Sequence, residues 1–134
     1  MPIKDRFKDI NEGFIRRGAE KINEKDLEKV LDRAEEIKDK IKNSGALKKF
    51  IEDVRILIDM LRDYWSGEYR KVPFWVIAAV AFALLYVLTP LDLIPDFIPV
   101  IGLTDDALVV GLCLMMIEKE LEEYKKWRIA RGEV

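Results

Sequence analysis

The chain has 134 residues, half of them apolar and 36% charged, with 23 Lys+Arg against 25 Asp+Glu and a net charge of -2. That size fits one domain, or one domain with an appendage, and the charge balance provides no global basic field to draw nucleic acid. The absence of His removes imidazole acid–base catalysis, Ser–His and Cys–His nucleophile pairs and most zinc sites, and a single Cys, Cys113, cannot close an internal disulfide.

The charge is segregated. Residues 1–71 carry 18 basic and 16 acidic side chains, whereas 72–117 carry no Lys or Arg and four acids, Asp92, Asp96, Asp105 and Asp106. The N-terminal Met-Pro-Ile-Lys-Asp-Arg lacks the apolar run of a cleaved signal peptide. Ile3, Phe7, Ile10 and Phe14 step by three and four, which predicts one helical face, weakened by Gly13 and ending near Gly18. Asn23, with Asp26 three residues on, predicts a capped second helix bearing Leu27, Val30, Ala34, Ile37 and Ile41 inward, with Glu36 and Lys40 spaced for an ion pair outside. Asn43-Ser44-Gly45 breaks the pattern, and Ser44 is placed to cap a third helix whose broad stripe runs from Leu47 through Trp65 to a stop at Ser66-Gly67. Such stripes serve either packing within the chain or a seam with a partner protein or a second copy.

From Val72 to Leu91 no residue is charged. Pro73 fits a first helical turn, and Thr89 before Pro90 ends the helix near Leu88. The 17 residues 72–88 give roughly 25 Å of helix, close to the thickness of a bilayer's hydrocarbon. A helix this apolar all round needs either protein or lipid on every side, and the small size of the chain points to lipid. Ala107–Ile117 is also apolar all round but too short to span. Arg70 and Lys71 before the first arm, and Lys119, Lys125, Lys126 and Arg128 after the second, place both termini on the cytoplasmic side. Trp65, Tyr69, Trp75, Tyr124 and Trp127 fit an interfacial belt or an aromatic core equally well. Gly111 fits close helix approach, Met115 and Met116 gap-filling, and Cys113 an inert buried thiol.

Between the arms the chain reads YVLTPLDLIPDFIPVIGLTDD. Tyr86, Pro90, Asp92-Leu93-Ile94-Pro95-Asp96, Pro99, Gly102 and Asp105-Asp106 in this order resemble the YkvA-like family of small bacterial proteins of unknown function. The likeness covers about residues 70–120; Thr104 departs from it, since relatives are expected to be apolar there. The resemblance implies a helical hairpin associated with membranes, with no assigned activity, substrate or cofactor. Asp105 and Asp106 fit the first turn of the last helix, and Asp92 and Asp96 fit capping within the Pro-rich turn. The alternative use of Asp92, Asp96, Asp105 and Asp106 is a hard-cation site. One of these aspartates could instead pair with an Arg or Lys of the N-terminal helices, such as Arg55 or Arg62.

The expected protein is thus all-α, with about five helices: a charged amphipathic region at 1–69, an apolar hairpin at 70–128 and a tail at 129–134. Its expected partners are the lipid bilayer and, through the amphipathic helices, a second copy or another protein. Neither an enzyme activity nor a cofactor is expected. A helical bundle acting as a protein-interaction module is the alternative.

Overall fold

The computed structural model describes residues 11–88 and 106–132. Among them stand seven α-helices and no strand: α1 (Glu12–Glu20), α2 (Glu24–Asp32), α3 (Ala34–Lys42), α4 (Ile51–Ser66), α5 (Phe74–Leu88), α6 (Asp106–Met116) and α7 (Glu118–Ala130), with a 3-10 turn at Lys48–Phe50 leading into α4. The all-α class is as expected. Seven helices replace about five because two expected helices are each divided at one residue, Arg33 (φ -110°, ψ 21°) and Ile117 (φ -107°, ψ 15°). The i→i-4 ladder survives on both sides: Arg33 N–H donates to Lys29 O at 3.1 Å and Ile37 N–H to Arg33 O at 3.0 Å. Ile117 and Leu121 repeat this arrangement at 3.1 and 2.8 Å. Val30, Ala34 and Ile37, and likewise Cys113, Ile117 and Tyr124, stay buried across the hitches, so apolar spacing carries no trace of them.

The helix ends obey local chemistry. Asn23 and Asp26 form the reciprocal capping box, at 3.2 and 2.9 Å. Ser44 Oγ accepts from Leu47 N–H at 3.2 Å in the turn ahead of the 3-10 segment instead of capping α4, which starts at Ile51 without a side-chain cap, and Gly67, at φ 88°, closes α4 in the left-handed conformation. One expectation fails at the first helix. Asn11 is extended and caps α1 by accepting from Phe14 N–H at 3.1 Å. The helix bearing Phe14 therefore begins at Glu12, and Ile3, Phe7 and Ile10 lie outside the described residues. α1 ends at Glu20, near the expected point and two residues past Gly18, which is buried. The expected Glu36–Lys40 pair is replaced, since Glu36 takes the Arg33 guanidinium on both oxygens, at 3.1 and 2.7 Å.

The larger correction concerns α5. Every residue from Val76 to Leu88 is buried. α1, α2, α3, α4 and α6 all pack on it, so protein supplies the surroundings for which lipid was expected. Five short helices suffice because Ala78, Ala79, Ala81 and Ala83 keep α5 narrow. α1 comes closest: a Cβ built on Gly18 would lie 2.3 Å from the Phe82 ring, and Phe14 meets Phe82 and Tyr86 edge-on at 5.4 and 5.9 Å. No helix among the described residues is long and apolar enough to cross a membrane. α6 runs antiparallel to α5, with Cys113 Sγ 3.6 Å from Ala79 O, while Gly111 has only ordinary contact, its nearest neighbour being Phe50 at 3.8 Å. Close approach belongs to Gly18 rather than to Gly111.

Candidate functional site

The start of α5 differs from the rest of it. Phe74 and Trp75 follow Pro73, occupy the first helical turn and have no preceding turn to cover them, and they are 43% and 38% exposed. The end of α4 lies beside them and adds Trp65, 42% exposed. Three large aromatics thus meet solvent at one end of the helical body, a concentration unlike the scattered apolar exposure of ordinary surfaces.

Basic groups sit among them. Arg70 Nε donates to Tyr64 O at 2.7 Å and its guanidinium lies 4.4 Å from the centre of the Tyr64 ring, so a cation closes the carbonyl end of α4. Tyr64 in turn lies 6.3 Å from Phe74. Arg16 on α1 stands over Trp75 at 5.8 Å, and Lys71 is exposed next to Arg70. Two clefts open at this edge and share Ile22 and Phe74 as their divide. One, of about 300 Å³, lies between α1 and α5, lined by Ile15, Ala19, Trp75, Ala78 and Met116 with Arg16 and Glu20 at its rim. The other, of about 460 Å³, lies between the start of α2 and Tyr64, Trp65 and Arg70.

The expected aromatic belt therefore divides. Trp65 and Trp75 are exposed, whereas Tyr69 and Tyr124 are core residues and Trp127 is half-buried against them. Tyr69 meets Tyr124 and Trp127 at 5.0 and 4.8 Å, and the Tyr124 hydroxyl donates to Asp63 Oδ2 at 2.6 Å. With Arg128–Asp59 at 3.4 Å and Arg131–Glu68 at 2.7 Å, this cluster fastens α7 to the end of α4. Burial first, then the Asp63 bond and charge, push the Tyr124 phenol well above its usual range.

Of the motif residues, Tyr86 is buried in α5 against Phe14 and Phe82, and Asp106 opens α6 at the positive end of its dipole. Pro90, Asp92, Pro95, Asp96, Pro99, Gly102 and Asp105 lie outside the described residues, and with them the capping and cation readings of that turn. Among the described residues no three Asp, Glu or Cys side chains gather as a metal site. Arg55 and Arg62 pair within their own helix, with Glu52 at 2.9 Å and Asp59 at 3.5 Å. Cys113 is the inert thiol expected, fully buried and pushed up to about 12 by that burial. Met116 lines a cleft, but Met115 is exposed rather than gap-filling. Sequence reasoning missed Phe74 and Arg16; the available signal was an aromatic pair directly after Pro73, in a turn that nothing precedes.

Fold and surface together define a small helical body with an enclosed apolar axis and one aromatic, basic edge. Residues 76–112 match the model of a protein family of unknown function, DUF1232. Over 82 residues, 61% of this chain and 77% of the relative, the sequence is 42% identical to the uncharacterized membrane protein YkvA of Bacillus subtilis (strain 168). The chain belongs to the YkvA-like family. No solved structure matches it.

Proposed function

We propose that this is a membrane-associated helical protein that lies on the cytoplasmic leaflet through the Trp65–Phe74–Trp75 edge, with a structural or interaction role rather than a catalytic one. The observation that carries this reading is the joint exposure of three aromatics among Arg16, Arg70 and Lys71, at the end of a helix that is otherwise enclosed. Aromatic rings partition to the boundary between headgroups and acyl chains, and bases near an anionic leaflet add about 1 kcal/mol each. The relative's description as a membrane protein supports association, and the enclosure of α5 favours lying on the bilayer over crossing it. In this reading Asn11 and Gly132 remain on the same, cytoplasmic side.

Cell membranes washed with sodium carbonate test the reading. Sedimentation with membranes before the wash and release by it is the expected result. Retention after the wash overturns peripheral attachment, and recovery outside the membrane fraction before it overturns association altogether. The enclosed α5 also favours a second reading, a bundle that binds another protein or a second copy of itself. Membrane attachment lost on removing integral proteins but not lipids supports that alternative.

A further inference from the structure

The two clefts at the aromatic edge differ in what they can hold. The 460 Å³ cleft is ringed by Asn23, Glu24, Arg70 and Tyr64, and its guanidinium is already engaged by the Tyr64 carbonyl. The 300 Å³ cleft has an apolar interior floored by Ala78 and Ala79 and walled by Ile15, Ala19 and Trp75. Small side chains on both facing helices leave a slot between backbones, and Met116 supplies a pliable end. Arg16 stands at its rim, where among the described residues it meets the Trp75 ring and, at 4.0 Å, Glu12 in an ion pair between exposed side chains. Such a pair contributes little, so the guanidinium is available to an incoming anion.

We infer that this cleft seats one acyl chain of a single anionic phospholipid, with Arg16 on its phosphate. The inference rests on the edge being a membrane surface and adds a defined lipid site to it. An apolar slot opening beside a cation matches the amphipathic order of a phospholipid, tail inward and phosphate at the rim. Glu20 shares that rim one helical turn from Arg16, and its charge opposes the phosphate.

The test uses dihexanoyl-phosphatidylglycerol and dihexanoyl-phosphatidylcholine, both below their micelle concentrations, titrated into the full chain and followed by calorimetry and by NMR shifts of the cleft residues. The expected result is saturable binding of one lipid with a preference for phosphatidylglycerol. Arg16→Glu should weaken phosphatidylglycerol binding about tenfold, the scale of one charge-assisted contact, and Glu20→Gln should strengthen it. Ala78→Leu fills the slot and should abolish binding of both lipids with helix content retained; should it fail to fold, the exposed Arg16 and Glu20 variants decide. Equal affinity for the two lipids, or unchanged binding in Arg16→Glu, overturns the inference. Wild type that floats with phosphatidylglycerol vesicles yet takes up no dispersed lipid overturns the cleft alone; failure to float overturns the edge reading beneath it.

Discussion

Two helical glycines have opposite meanings at the residue scale. At Gly18 an added methyl would stand 2.3 Å from the Phe82 ring, which is itself packed on Phe14 and Tyr86, so neither wall can retreat. Gly18→Ala should destabilise by about 1–3 kcal/mol through overpacking, despite its gain in helix propensity. At Gly111 the nearest atom is 3.8 Å away, and Gly111→Ala should stabilise by about 0.5–1 kcal/mol; urea unfolding of both variants checks the contrast. Two buried protons give a second residue-scale outcome. The folded chain holds the Cys113 thiol to about 12, against 9.0 for the free group, and raises the Tyr124 phenol above 10.0. Above those ordinary values the folded state therefore binds more protons than the unfolded one, so the stability these groups contribute is complete below pH 9 and is lost as pH rises beyond it. The urea midpoint should fall as pH climbs from 9 toward 12. Cys113→Ala should flatten the beginning of that fall. Tyr124→Phe should flatten the part above 10.0 and lower stability at neutral pH by about 1 kcal/mol through loss of the Asp63 bond.

At the scale of single elements, the features with a local cause were legible. The Asn23–Asp26 box and the Gly67 stop each depend on residues within four positions of one another, and both formed as read, whereas Ser44 holds the turn at Leu47 and α4 begins only at Ile51, without a side-chain cap. Asn23→Ala should cost about 1 kcal/mol, and Gly67→Ala about 1–2 kcal/mol because φ is 88° there; urea denaturation again measures both. The hitches at Arg33 and Ile117 were not legible, since the buried stripe passes through both without a gap. Nor was the start of α1: Ile3, Phe7 and Ile10 keep helical spacing with Phe14, but the Asn11 side chain takes the Phe14 N–H and fixes a boundary inside that pattern. The candidate edge was half visible. Trp65 and Trp75 stood out as aromatics beside a change of composition, yet the same signal marked Tyr69 and Tyr124, which the docking of α7 carries into the core. Which aromatic stays outside depends on contacts between α4 and α7, far apart in sequence, and no local pattern encodes them.

For the whole molecule, the uncharged run could be satisfied by acyl chains or by five neighbouring helices, and hydropathy cannot distinguish them because both surroundings are equally dry. Geometry can, and it assigns separate tasks to the two parts of α5: Val76–Leu88 hold the body together, while Phe74 and Trp75 face outward. Substitutions should separate these tasks. Ala81 is fully enclosed, so Ala81→Asp places a carboxylate where neither water nor a snorkelling path reaches it and should remove several kcal/mol of stability, enough to unfold a body of this size. The triple variant Trp65→Ala, Phe74→Ala, Trp75→Ala truncates rings that are 38–43% exposed and otherwise packed on their neighbours. Its thermal midpoint should fall but the chain should stay helical and folded at room temperature, while flotation with phosphatidylglycerol vesicles is lost. Raising salt from about 0.05 M to about 0.5 M should weaken wild-type flotation, because Arg16, Arg70 and Lys71 act through a screened field, but should leave unfolding of Ala81→Asp unrelieved. If Ala81→Asp folds normally and stays with carbonate-washed membranes, α5 has lipid around it rather than helices; if the triple variant still floats, the aromatic edge is not what meets the bilayer.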